Sequence, residues 1–147
     1  MNSKWDERFM DLAAHISTWS KDPSTKIGAV IVNDEKRILA TGYNGFPKGI
    51  ADTEERLNNR DLKYPLIVHG EQNALWNALY NGVSVKGSTM YVKGLPICSD
   101  CTKGIIQAGV KCVVVELPEN TPEKWADQWS KISEPMFLEA GVEIKYL

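Results

Sequence analysis

Trp5, Phe9, Leu12, Ile16 and Trp19 recur at spacings of four and three, the single apolar stripe of an α-helix. Ser3 with Asp6 three residues later reads as a capping box at its start. Lys21-Asp22-Pro23-Ser24 ends the helix, because proline disfavours helical backbone in the residue before it. Residues 27–32 are apolar and β-branched, the pattern of a buried strand. A polar turn at 33–36 leads to a second strand over 37–43, and the two predict a hairpin. Asn44-Gly45-Phe46-Pro47-Lys48-Gly49 breaks regular structure. Residues 47–66 are charged and read as a long loop with a short helix around 54–58.

The spacing then predicts a helix over 70–80, stopped by Asn81-Gly82, and a strand over 88–92. A helix over 99–108 and a strand over 111–115 follow. A helix over 122–140 has Thr121 as N-cap and Pro122 as its first residue, with Pro135 kinking or splitting it. A last strand covers 142–146. This alternation gives an α/β fold, a three-layer α/β/α sandwich with a central mixed five-stranded sheet.

At 147 residues, with 43% apolar and 24% charged side chains, the composition is that of one domain spanning 1–147. The net charge is −2 and the lysines and arginines are scattered, which disfavours a long nucleic acid as partner. No apolar run approaches the roughly 20 residues that span a bilayer. No signal peptide is visible at the start, so the expected location is cytoplasmic. The five tryptophans are expected to pack the core or a subunit interface, and His15 is expected to be structural.

Chemistry concentrates in two short stretches, His69-Gly70-Glu71 and Cys98-Ser99-Asp100-Cys101. One imidazole and two thiolates make three soft ligands for a zinc ion, and three protein ligands leave a fourth position open, as catalytic zinc requires. Glu71 stands where a proton carrier is needed. Both stretches open helices, whose N-termini favour the thiolate. His69 and Glu71 share no face in mid-helix and converge only at the helix's N-terminal edge. Two rivals exist. Cys98 and Cys101 could form a redox pair. Alternatively Cys112 could close a structural four-ligand site, but it lies in an apolar run where cysteine behaves as a small hydrophobe.

The HxE and CxxC elements resemble those of the zinc-dependent cytidine and deoxycytidylate deaminases. Residues 20–32 and 42–49 resemble the first- and second-strand signatures of the deoxycytidylate (dCMP) branch, and 105–110 follows the cysteines as it does there. The likeness covers about residues 5–115 and fades beyond. It departs at Gly70, where alanine is usual, and at Ile97, where proline is usual.

The resemblance implies Zn2+ held by His69, Cys98 and Cys101, Glu71 as general base and acid, and hydrolysis of dCMP to dUMP and ammonia. It implies substrate contacts at Asn44, Ser24 and Lys26; for the 5′-phosphate Lys26, Lys48, Arg56, Arg60 and Lys63 are all available. It also implies a homo-oligomer of two to six copies and a possible response to dCTP and dTTP. The alternatives are deamination of cytidine, cytosine, a modified nucleotide or guanine, editing of tRNA or single-stranded DNA, and a non-enzymatic zinc module.

Overall fold

The computed structural model describes residues 3–147. The capping box forms: Ser3 Oγ accepts the Asp6 N–H and Asp6 Oδ2 accepts the Ser3 N–H, each at 3.1 Å. The helix it opens, α1 (Lys4–Ser17), stops short of the last residue of the predicted stripe. Ser17 and Thr18 hydroxyls fold back onto the Ala14 and His15 carbonyls at 2.6 Å, competing with further helix. Trp19 therefore lies outside α1 and is exposed, edge-on to the rings of His15 and Tyr43.

β1 (Gly28–Val32) and β2 (Ile38–Tyr43) form the expected antiparallel hairpin. The other strands are β3 (Thr89–Lys93), β4 (Cys112–Glu116) and β5 (Glu143–Tyr146). The sheet order is β2-β1-β3-β4-β5, antiparallel across β2-β1-β3 and parallel across β3-β4-β5. The expected mixed five-stranded sheet is thus present.

Strand alternation sorts the core into two halves. Val30, Val32, Tyr91, Cys112 and Val114 meet Phe9, Met10 and Ala13 of α1 on one face. Ala29, Ile31, Met90, Val92, Val113 and Val115 form the other half with helices α4 (Gly70–Tyr80) and α5 (Ser99–Gln107). Each large side chain so buried contributes about 1.5–3 kcal/mol. Helices on both faces make the three-layer sandwich.

Asp6 of α1 is buried beneath this packing, with Tyr91 Oη at 2.6 Å and Lys145 Nζ at 3.0 Å. Burial pushes its carboxyl up, but hydrogen bonds from Tyr91, the Ser3 N–H and Lys145 outweigh it and hold the group below its ordinary value of 3.8. A carboxyl lowered by folding stabilises the fold above its unfolded pKa, and that stability is lost as pH falls through the folded value. Asp6→Asn is expected to lower Tm at neutral pH. The gap from wild type should shrink as pH drops below about 3.8, as thermal melts across pH will show.

Two regions differ from expectation. The charged stretch 47–66 holds not one helix but two, α2 (Glu54–Asn58) and α3 (Arg60–Leu66). Asn59 ends the first and caps the second, its Oδ1 accepting the Asp61 N–H at 3.0 Å. Pro65 falls in the last turn of α3, where its missing N–H disrupts little of the ladder. The C-terminal helix is divided into α6 (Glu123–Gln128), a π-helical turn (Trp129–Ser133) and α7 (Glu134–Glu139). The wide turn, in which the Glu134 N–H reaches the Trp129 carbonyl, precedes Pro135 and makes room for its ring. Pro122, not Thr121, is the N-cap: its extended backbone (ψ 139) places it just before the helix. Core packing is found for Trp129, whereas Trp19 and Trp76 are exposed.

Candidate active site

Two helix starts meet below one end of the sheet. His69 is the N-cap of α4 and Cys98 the N-cap of α5, each with extended backbone that turns its side chain toward the helix mouth. The Cys98 sulfur caps α5 itself, accepting the Cys101 N–H at 3.4 Å. His69 Nδ1 lies 3.3 Å from both Cys98 Sγ and Cys101 Sγ. All three donor atoms lie within 4.8 Å of one another.

The two thiols take opposite roles. A hydrogen bond from the Cys101 thiol, aided by His69 and the Cys101 N–H, holds Cys98 far below the ordinary thiol range. The same shared hydrogen bond, with burial, pushes Cys101 up. A bound cation would favour the thiolate at both sulfurs, the form a metal takes. The hydrogen bond to Cys98 raises the pKa of His69 against the opposing effect of burial.

Glu71, in the first turn of α4, is 3% exposed. Its Oε1 is buried without a hydrogen-bond partner. Burial pushes its carboxyl up to about 7, the range in which a group exchanges protons readily at neutral pH. A buried carboxylate oxygen without a partner costs free energy, and a catalytic role is one explanation for its presence. Two sulfurs, one imidazole nitrogen and an adjacent orphaned carboxylate are the donor set and proton carrier that a catalytic zinc takes. Cys112 does not join them: it packs against α1 on the opposite face of the sheet. Among the described residues the metal-binding cluster contains three side chains, so the closed four-ligand expectation has no fourth member.

The cluster borders a cleft of about 830 Å³, lined by His69, Glu71 and Cys98 among others. His69 and Glu71 both line it, so they converge at the N-terminal edge of α4 as their spacing requires. Asn44 lines it too, but its amide is already committed. Oδ1 accepts the Ile27 N–H at 2.8 Å, and Nδ2 donates to the Thr25 carbonyl at 2.9 Å and to Asp22 at 3.4 Å. Asn44 therefore fixes the loop that presents Ser24, Thr25 and Lys26 to the cleft. Of the five cations available for phosphate, Lys26, Arg60 and Lys63 line the cleft; Lys48 and Arg56 do not.

Three features escaped sequence reasoning. Lys63, expected among the cations available for phosphate, is buried and paired with Asp22 at 3.2 Å across 41 positions of sequence, a pairing no local pattern marks. Lys124 and Trp125 line the cleft from α6, beyond the stretch that carries the motifs. Gln128 Oε1 accepts the Ser99 N–H at 2.8 Å, satisfying a free donor at the start of the cysteine helix. The two departures have structural reasons. A Cβ on Gly70 would stand 3.0 Å from Ile27 Cγ2 and from its carbonyl, so glycine lets β1's approach lie against α4. Ile97 is wholly buried in the core.

Residues 3–117 match the family model for the cytidine and deoxycytidylate deaminase zinc-binding region. The chain belongs to this deaminase family. An uncharacterized deaminase from the luxG 3′ region of Aliivibrio fischeri is 38% identical, covering 100% of this chain and 96% of the relative. Human deoxycytidylate deaminase is 45% identical over 76% of the chain, which spans 64% of the human protein's length. The crystal structure of cyanophage S-TIM5 dCMP deaminase in complex with dCMP and dUMP superposes with a TM-score of 0.79 at 30% identity. That match covers 100% of this chain and 99% of the phage chain. These deaminases carry zinc-binding regions, and in this family member the zinc-binding region contains the His69, Cys98 and Cys101 cluster. Among the described residues no helix is long and apolar enough to cross a membrane.

Proposed function

We propose that this deaminase hydrolyses the exocyclic amine of dCMP, giving dUMP and ammonia, with His69, Cys98 and Cys101 as metal ligands and Glu71 as the proton carrier. The observation that carries the reading is the orphaned Glu71 oxygen beside the three-donor cluster in the wall of the cleft. Zinc, when bound, supplies the Lewis acidity that makes water a nucleophile at neutral pH.

The rest falls to the chain's own groups. Glu71 accepts a proton from the attacking water and passes it to ring N3, then takes the second proton from the new C4 hydroxyl and gives it to the leaving amine. A C4–O bond forms and the C4–N bond breaks, so ammonia leaves and uracil remains. Burial of Glu71 keeps bulk water from competing for that proton. Asn44 holds the Ser24–Thr25–Lys26 loop against the substrate. The likeness to a dCMP deaminase solved with dCMP and dUMP supports the nucleotide as substrate.

Ammonia release by the zinc-loaded protein tests the reading. The phosphate's charge-assisted hydrogen bonds are each worth about 1.5–3 kcal/mol, so kcat/KM for dCMP should exceed that for deoxycytidine or cytosine by about 100-fold. Equal turnover of the unphosphorylated compounds would overturn it. Assembly into a homo-oligomer belongs to the same reading, supported by the exposed Trp76, Leu79 and Tyr80 on α4. So does a response to dCTP and dTTP.

A further inference from the structure

The cleft's cations divide by what they already hold. The Lys63 ammonium is buried, bonded to Asp22 at 3.2 Å and to Ser24 Oγ at 3.4 Å. Withdrawing it would leave the Asp22 carboxylate buried and unpaired, a costly state. Lys26 donates to the Ser20 carbonyl. Arg60, the first residue of α3, and Lys124, in the first turn of α6, line the same cleft. Neither is paired with a carboxylate, and neither donates to an oxygen of the chain, among the described residues. Lys124 Nζ stands 4.7 Å from the centroid of the Trp125 ring, a contact that orients a cation without neutralising it.

The carboxylates are placed unequally. Asp22 is matched by Lys63, and Glu71 lines the cleft beside His69 and Cys98. A dianionic group entering the cleft is repelled by Glu71 and attracted to the free donors of Arg60 and Lys124, while the Lys26 ammonium, likewise without a carboxylate partner, is tethered to the Ser20 carbonyl. A nucleotide so oriented puts its base at the metal-binding cluster and its phosphate between α3 and α6.

We propose that Arg60 and Lys124 together read the 5′-phosphate and so set this deaminase's preference for nucleotides over nucleosides. Lys124 lies beyond residue 117, outside the matched zinc-binding region, so part of the specificity is supplied by the C-terminal segment. The guanidinium offers a planar fork for two phosphate oxygens, and the ammonium acts as a point charge beside it. This inference rests on the nucleotide reading above.

The test compares zinc-loaded wild type with Arg60→Gln, Lys124→Gln and the double variant. Both side chains are exposed, so the variants are expected to fold. The ratio of kcat/KM for dCMP to that for deoxycytidine is expected to fall about 10-fold in each single variant and about 100-fold in the double, through KM. Inorganic phosphate should inhibit wild type competitively and lose that effect in the double variant, while Lys124→Arg keeps it. If wild type prefers dCMP and the double variant keeps the same ratio, the assignment to Arg60 and Lys124 is wrong although the nucleotide reading stands. If wild type shows no preference for dCMP, both fall together.

Discussion

Glu71→Gln is expected to lower kcat for dCMP by about 10³-fold while zinc remains bound at one ion per chain. The substitution keeps the size of the side chain and its place in the first turn of α4, so His69 next door is not displaced. What it removes is the ability to accept a proton. Glu71 is almost wholly buried, and the other carboxylate lining the cleft, Asp22, is already paired with Lys63. The sulfurs cannot take its place, since as ligands their lone pairs are committed to the metal. Elemental analysis and steady-state kinetics on the same sample separate the two effects. A variant that keeps zinc and retains activity within about tenfold would place the proton carrier elsewhere.

Gly42→Ala is expected to cost about 3 kcal/mol or more of stability and to abolish activity with it. Gly42 lies on β2 where α4 crosses it. A Cβ there would stand 2.2 Å from the Ala74 nitrogen, 2.6 Å from the Gly70 carbonyl oxygen and 2.8 Å from the Ala74 Cα. All three are backbone atoms, so no rotamer change relieves the overlap. The helix must move as a body, and it carries both His69 and Glu71 at its start. Gly45→Ala is the control: its Cβ meets nothing within 4 Å, and its denaturation midpoint should match wild type. Chemical denaturation of the three proteins measures the difference. A Gly42→Ala protein as stable as wild type would mean that α4 and β2 are further apart than described.

These two positions mark what was readable in the chain and what was not. His69, Glu71, Cys98 and Cys101 could be singled out because HxE and CxxC are local spacings at helix starts, whereas the meeting of those two starts depends on the sheet between them. The strands and the capping box at Ser3 were legible for the same reason, since short apolar, β-branched runs and Ser-x-x-Asp are short-range signals. Gly42 gave no such signal, because its need for a missing side chain comes from a helix some thirty positions later. The α3 helix was hidden by its charges and by Pro65, and only the Asn59 cap betrays it. Asn44 was expected to contact the substrate; it lines the cleft, but its amide is taken up by the 22–27 loop through hydrogen bonds set by tertiary structure. Lys124 and Gln128 come from a segment whose position relative to the site depends on the whole sheet being folded.

X-ray absorption at the zinc edge on the purified protein tests the central claim most directly. The account predicts one zinc per chain with two sulfurs, one imidazole nitrogen and one further light atom, with zinc lost in Cys98→Ala and kept in Cys112→Ala. No bound zinc, or a coordination shell completed by four side chains, would contradict it.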